Sequence, residues 1–533
     1  MNIGLFLCRA ECIGFKSVDV DALAQQFSDL ASVKIFDNLE TAEAVSAMLA
    51  EVQERSLEAV VLGACSPHYF QNTLCADRVI ERLEQSGINP NRIAFANLKE
   101  QCALVHKDDP AGALRKAALM VEKALARVRL ARPVRTVPVA PHRAVLVIGG
   151  TVAGIVGANW ASRLGYRVYV LTKETDLESI RQRLGDMQPV LADFQMSPLS
   201  EFIFDADVED VAGWCGDYTV TISHNGQQRE LIVGGILVAV DDDHEWTAQL
   251  ALKLHVNLDD RGNIQSRNST TMATQATEEG ILSVPPTEGP DRIRFQVEGA
   301  CTAVTVLDSL LSQNEIRHVL RMTEVDASLC GACGTCVKTC AFHACTIDQT
   351  RRISVIDERR CKACGNCVTA CPTGARDLIT YPQDYLTEAI DIYAKFSANG
   401  SPRVLCLLCN GCGYSAADTA GREGRSYPSS VLPLRVACGG RVDTQHVLEA
   451  FWKGFDGVLV TVCREGHCHN IVGNVDMGRR VNLFRVVLAS RNLDAERLRI
   501  LEVAPHEGQK FAHEATRFVN DLADLANSGP QGA

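Results

Sequence analysis

The chain has 533 residues, room for roughly three or four domains that each bury a core. Its 53 basic and 65 acidic residues give a net charge of −12, which excludes nucleic acid as the main partner, because phosphate binding needs a basic surface. The 22 cysteines stand out: a large chain without a secretion signal uses thiols for metal binding or catalysis, where small secreted domains use them for disulfides.

Met1–Arg9 lacks the basic stretch of a signal peptide, and no apolar run reaches the ~18–20 residues of a membrane span. The expected setting is a reducing cytoplasm. The fold class expected is a multidomain α/β protein in four parts: residues 1–140, 141–321, 322–382 and 400–533.

In residues 1–140, apolar runs at Ile3–Leu7, Val33–Phe36, Ala59–Leu62 and Ile93–Phe95 predict short buried strands. Helical patterns at Val20–Leu30, Ala42–Ser56 and Arg78–Gln85 alternate with them, which predicts a parallel sheet. Cys8 and Cys12 follow the first strand, Cys65 the third and Cys102 the fourth. Ligands collect at the carboxyl edge of such a sheet, so these four thiols are a candidate iron–sulfur site; the alternative is four separately buried cysteines. Cys75, within a helical pattern, reads as core. A long helix over Ala111–Arg132 and a linker at Pro133–His142 close this part.

Residues 141–321 open as βαβ: strand Ala144–Ile148, the turn Gly149-Gly150-Thr151-Val152-Ala153-Gly154, a helix to Leu164, then strand Arg167–Leu171. Against the dinucleotide fingerprint G-x-G-x-x-G, Gly149 and Gly154 fit, but Thr151 holds the position where the backbone should approach a pyrophosphate. Thr172 stands where an acid usually binds the ribose, with Glu174 two residues late. The reading is a degenerate Rossmann-like domain with Gly149, Gly150, Gly154 and Glu174 as candidate FAD contacts. Short strands follow, at Tyr218–Ser223 and Leu231–Val240, then a packed helix at Ala300–Leu311. Cys215 and Cys301 are isolated and read as core.

Residues 322–382 carry the strongest signal. Cys330-Gly-Ala-Cys333-Gly-Thr-Cys336-Val-Lys-Thr-Cys340 is followed by Cys361-Lys-Ala-Cys364-Gly-Asn-Cys367-Val-Thr-Ala-Cys371-Pro372. Both runs have the C-x2-C-x2-C-x3-C spacing of two-cluster ferredoxins, in which the fourth cysteine of each run serves the other cluster. One [4Fe–4S] cluster is thus expected on Cys330, Cys333, Cys336 and Cys371, and a second on Cys361, Cys364, Cys367 and Cys340. Zinc sites, which usually use two separated C-x2-4-C pairs, are the alternative. Cys345 is extra to the pattern and reads as a bystander.

Residues 400–533 predict a second parallel α/β unit. A strand from Arg403 passes Cys406 and leads to Cys409 and Cys412, Leu432–Ala437 ends at Cys438, and Gly457–Val462 ends at Cys463, with Cys468-His469 beyond. Helices are expected at Thr444–Phe455, Gly478–Arg491 and Glu507–Ala526, and a further strand at Leu498–Val503. Cys409, Cys412, Cys438 and Cys463, with Cys468 in reserve, are candidates for one [2Fe–2S] or [4Fe–4S] cluster at the sheet edge. A redox disulfide or zinc site is the alternative.

Over residues 1–380 the chain resembles the A-type subunit of heterodisulfide reductase. The marks are Gly63-Ala64-Cys65-Ser66-Pro67, Asn97-Leu98-Lys99-Glu100-Gln101-Cys102, the Val-Ile-Gly-Gly turn at 147–150 and the ferredoxin runs. Residues 400–533 resemble the delta subunit of methyl-viologen-reducing hydrogenase, through Cys409-Asn-Gly-Cys412-Gly-Tyr414, Cys438-Gly-Gly-Arg441-Val-Asp443, Gly466-His-Cys468-His469 and Gly473-Asn474. The two modules are similarly fused in the B-type subunit of the quinone-interacting membrane-bound oxidoreductase. The resemblance implies an iron–sulfur electron-transfer subunit of a multi-subunit oxidoreductase. It would relay electrons from a hydrogenase, ferredoxin or dehydrogenase to a partner reductase, and meet any membrane only through partner subunits. The alternative it implies is a flavoenzyme subunit with FAD near Gly149, bifurcating electrons or linked to quinone.

Overall fold

The computed structural model describes residues 1–9, 17–72, 79–240, 243–259, 261–268, 272–397, 400–491 and 493–527. Cys12 and Cys75 lie outside the described residues. The chain forms two compact units, one of Met1–Arg135, Arg321–Ile356 and Cys361–Ala533, the other of Thr136–Leu320 and Asp357–Arg360.

The first unit is built on two four-stranded parallel sheets of the same plan. One runs in the spatial order Ser32–Phe36, Ile3–Cys8, Ala59–Ala64, Ile93–Asn97. The other runs Val431–Val436, Val404–Cys409, Gly457–Val462, Leu498–Glu502. Their central strands are unbroken apolar runs, buried at every residue, as a parallel sheet covered on both faces requires. Side-chain caps start the connecting helices: Asp19 accepts from Ala22 N, and Thr41 from Ala44 N. One continuous core joins both sheets with the helices Pro110–Arg129 and Gln383–Ala394.

The seam between the sheets is polar at one point. The Asp418 carboxylate, fully buried, accepts from Asn97 Nδ2 at 2.8 Å, from Gln101 Nε2 at 2.7 Å and from the Ser66 hydroxyl. Ser66 N donates to Glu100 Oε2 at 2.8 Å, and His68 bridges Ser415 and Asn410, each at 3.2 Å. Burial pushes the Asp418 carboxyl up to about 7. Two cations of Pro110–Arg129 are also enclosed there. Lys116 Nζ lies 2.9 Å from His106 Nε2, and Lys123 Nζ donates to Tyr393 Oη at 2.6 Å and to the Pro433 carbonyl at 3.0 Å.

The second unit centres on a seven-stranded sheet in the order Ser266–Asn268, Met272–Ala276, Ile281–Ser283, Gly235–Val238, Ala144–Ile148, Arg167–Leu171, Ser200–Ile203. The last five strands pair in parallel. Ala206–Trp214, Asp217–His224 and Gln227–Val233 make an antiparallel meander, turning at Asn225-Gly226, both at positive φ. The run expected as one strand over Leu231–Val240 splits at Gly234, whose amide donates to the Ala144 carbonyl at 2.8 Å, so its two halves join different sheets. Among the described residues, no helix is long and apolar enough to cross a membrane.

Candidate functional site

The two ferredoxin runs follow the same backbone path. Ala332 and Gly334 in the first loop, and Ala363 and Gly365 in the second, all take positive φ, between 51° and 83°. Two left-handed residues per loop curl the chain tightly between consecutive cysteines, and alanine there adopts a conformation that glycine takes without penalty. A short helix follows each loop, Thr335–Thr339 and Asn366–Thr369.

Backbone amides and hydroxyls point at the sulfurs. Ser354 N donates to Cys330 Sγ and Ala344 N to Cys340 Sγ, both at 3.4 Å. Thr335 Oγ1 lies 3.3 Å from Cys333 Sγ and holds that thiol below its ordinary value. Cys345, expected as a bystander, is buried against two ligand candidates. Its thiol hydrogen bonds hold Cys340 down to about 5 and Cys367 down to about 7. Polar hydrogens aimed at clustered sulfur suit thiolates ligating an iron–sulfur centre.

In the second parallel sheet, five thiols converge at the carboxyl edge, all nearly inaccessible: Cys409, Cys412, Cys438, Cys463 and Cys468. Cys409 and Cys463 sulfurs are 3.8 Å apart, and those of Cys438 and Cys468 are 3.9 Å apart. Hydrogen bonds from Cys438 and Cys463 draw Cys468 down to about 3, and the bond from Cys463 draws Cys412 down to about 5. Burial alone would lower the pKa of His469, but the Cys412 sulfur bonded to it raises it. His469 therefore stands against a candidate ligand thiol. Gly413 N donates to Cys409 Sγ at 3.2 Å. Cys406 takes no part; its thiol lies 3.7 Å from Thr461 Oγ1 and burial pushes it up to about 12.

The second ferredoxin loop is walled by this site. Gly365 lies so close to Arg441 that an added Cβ would stand 2.7 Å from its Cδ. Thr369 Oγ1 donates to the Gly440 carbonyl and Asn366 Nδ2 to Asp476, both at 3.0 Å. Arg441, fully buried, reaches Tyr381 O at 3.3 Å and Gln383 Oε1 at 3.1 Å.

In the first sheet, Cys8 and Cys65 stand at the ends of neighbouring strands. Cys102 is engaged otherwise. It sits in the π-turn Lys99–Ala103 and donates to the Ala113 carbonyl at 3.0 Å, and burial pushes it up to about 12. Among the described residues, no three His, Cys, Asp or Glu side chains converge on a single-ion geometry.

The expected dinucleotide cradle is filled by the protein itself. Gly149, at φ 114°, and Gly154 are required where they are, since a Cβ on either would collide with a backbone carbonyl. Thr151, however, caps the helix Val152–Arg163: its hydroxyl accepts from Gly154 N at 3.1 Å and donates to Ala239 O at 2.8 Å. That helix amide is one a pyrophosphate would need. Glu174 is paired with Arg183 at 2.5 Å, and Ile180 and Glu174 lie over Gly150. These residues do not fit a bound dinucleotide. Thr151→Ala, which removes both bonds, is expected to destabilise this unit by about 1–2 kcal/mol in denaturant unfolding.

Comparison with known proteins agrees with this geometry. The family model for the methyl-viologen-reducing hydrogenase delta subunit matches residues 404–526, and that for the 4Fe-4S binding domain matches residues 354–377. The A-type subunit of the ferredoxin:CoB-CoM heterodisulfide reductase of Methanosarcina mazei is 34% identical over 254 residues, which cover 48% of this chain and 31% of that protein. The chain thus spans about a third of the length of that relative. The Thermovibrio ammonificans THI4 structure is 13% identical, covers 32% of this chain and 92% of its own, and has a TM-score of 0.26, too slight a likeness to bear on function. The D-type iron-sulfur subunit of the F420-non-reducing hydrogenase of Archaeoglobus profundus is 40% identical over 129 residues, 24% of this chain and 94% of that protein. Through this carboxy-terminal part, the chain belongs to the hydrogenase iron–sulfur delta-subunit family.

Proposed function

We propose that the chain is an iron–sulfur relay subunit of a heterodisulfide-reductase-like or quinone-linked complex. Cys330, Cys333, Cys336 and Cys371 would hold one [4Fe–4S] cluster, and Cys361, Cys364, Cys367 and Cys340 the second. Four of the five thiols Cys409, Cys412, Cys438, Cys463 and Cys468 would hold a third centre. Such clusters carry single electrons at potentials set by hydrogen bonds and burial. The parts performing this would be the ferredoxin segment 322–382 and the segment 400–533, with 1–140 as their support and 141–321 as a Rossmann-like domain without a nucleotide role.

One observation carries the reading: Gly365 and Asn366 of the second ferredoxin loop pack on Gly440 and Arg441, two and three residues beyond Cys438. Two thiol-rich sites that share a wall can exchange an electron without a diffusing carrier. The chain's own residues bury the thiols, aim amides at them and exclude water; Arg441 and Asn366 fix the spacing.

The partners at either end would be an electron-donating hydrogenase, ferredoxin or dehydrogenase, and an accepting reductase. The reading assigns no iron to the first sheet, because Cys102 spends its thiol on a backbone carbonyl. Anaerobic quantitation of iron, sulfide and flavin tests it. Expected are about 10–12 irons and as many sulfides per chain, with flavin far below one. Iron near zero would defeat the relay, and one flavin per chain would restore the flavoenzyme.

A further inference from the structure

The two ferredoxin runs are repeats, and five residues beyond each fourth cysteine they carry side chains of different chemistry. Cys345 follows Cys340 by five residues, and Arg376 follows Cys371 by five. The structure puts both equivalent positions between the loops. The thiol of Cys345 lies against Cys340 and Cys367, while the Arg376 guanidinium is enclosed, with 3% of the residue exposed.

Arg376 reaches sulfur on both sides. Its Nη1 points at Cys367 Sγ, 3.9 Å away, and donates to Thr323 Oγ1 at 3.1 Å. Its Nη2 donates to the Ser354 hydroxyl. Ser354, equally buried, has its Oγ 3.2 Å from Cys336 Sγ and its amide on Cys330 Sγ. A single side chain therefore touches a ligand of one expected cluster directly and two ligands of the other through one serine.

Among the described residues no carboxylate pairs with Arg376; it faces the sulfurs of Cys367, Cys345 and Cys336, and its Nε finds no acceptor. An enclosed cation without a counter-charge costs several kcal/mol. The surroundings must supply negative charge, and thiolate-ligated clusters on both sides would do so.

We propose that Arg376 sets the potentials of both ferredoxin centres at once, and so keeps the two levels matched for transfer between them. This rests on the reading that the eight cysteines hold two [4Fe–4S] clusters. Uptake of one electron adds one negative charge to a centre, so a neighbouring fixed cation and N–H···S bonds favour the reduced form and raise the potential. Because one guanidinium serves both, its removal should move both levels in the same direction. Ser354 is the positioning residue for the Cys330–Cys336 side alone.

The test uses the full chain, purified anaerobically, with each centre followed by EPR during redox titration. In Arg376→Met, both midpoint potentials are expected to fall, by about tenfold in the one-electron reduction constant, or ~59 mV. Arg376→Lys keeps the charge and should recover more than half of that shift. Ser354→Ala should lower the Cys330–Cys336 centre and leave the Cys367 centre within about twofold. A merely structural role would change iron content or stability and leave the potentials where they were. Full iron with both potentials unchanged in Arg376→Met overturns the proposal, as does a shift confined to one centre. If that variant does not retain iron, an unchanged Cys330–Cys336 potential in iron-loaded Ser354→Ala overturns it. Wild-type chain without iron would instead defeat the relay reading on which it stands.

Discussion

Cys463→Ser is expected to empty the proposed carboxy-terminal centre. Its thiol lies among Cys409, Cys412 and Cys468, so it is the hub of the five. A serine hydroxyl stays protonated at neutral pH and offers iron a hard oxygen where a soft thiolate is needed. The iron content is expected to fall by one cluster's worth, and electron transfer from an external donor through this site by about 100-fold or more, since even residues behind a ligand cost 10–100-fold. Cys406→Ala, on the strand that leads to Cys409 but outside the thiol group, should leave both readings unchanged. Iron quantitation and a stopped-flow reduction assay on the two variants check this. Unchanged iron in Cys463→Ser would assign the centre to Cys409, Cys412, Cys438 and Cys468 instead.

Asp418→Asn should stabilise the protein at alkaline pH and do little at acid pH. Burial raises the Asp418 carboxyl from the ordinary 3.8 to about 7, with Glu100 adding to the rise and Ser66, Gln101 and Arg422 opposing it. Between those values the folded chain holds a proton that the unfolded chain has released. The contribution to stability is therefore complete below 3.8 and lost as pH rises through 7. The span of 7 − 3.8 = 3.2 units, at ~1.36 kcal/mol per unit, sets a ceiling of ~4 kcal/mol. Asparagine keeps an oxygen for Asn97 and Gln101, offers its amide to the Ser66 hydroxyl, and never ionises. Denaturant unfolding at about pH 8.5 should show the variant ahead by about 2–4 kcal/mol, and at about pH 3.5, below the ordinary value of 3.8, the two should agree within ~1 kcal/mol. A constant difference across that range would show that Asp418 does not titrate on folding.

In the two parallel sheets of the first unit the expected strands matched what formed because each was a short, largely apolar run. Gly457–Val462 is observed over those very residues, and Ile3–Leu7, Ala59–Leu62 and Ile93–Phe95 each gain one or two residues at the carboxyl end. Helix ends drifted more, since caps and not periodicity decide them; Gly478–Arg491 begins instead at Gly473. Cysteine spacing made the ferredoxin loops legible, because ligands within one loop must lie close in sequence. Cys468 was harder to rank, being an equal member of a group that strands distant in sequence assemble. Arg376 and Asp418 escaped notice and Arg441 stood only as a letter of a motif, as a charged residue in a sequence reads as solvated surface and only tertiary contacts bury it. The offset shared by Cys345 and Arg376 within the repeat was the one available signal. Thr151, read as crowding a nucleotide, does more: it takes the amide itself.

The relative from Archaeoglobus profundus aligns over 94% of its own length with a piece of this chain. Here that piece is covalently joined to a neighbour with which it shares a continuous core sealed by Asp418, Lys116 and Lys123. A separate protein comes off its complex on dilution, at a rate set by affinity, whereas a tethered one meets its site at a fixed effective concentration. Stoichiometry is then one to one by synthesis, and the packing between the thiol-rich sites survives in dilute extract.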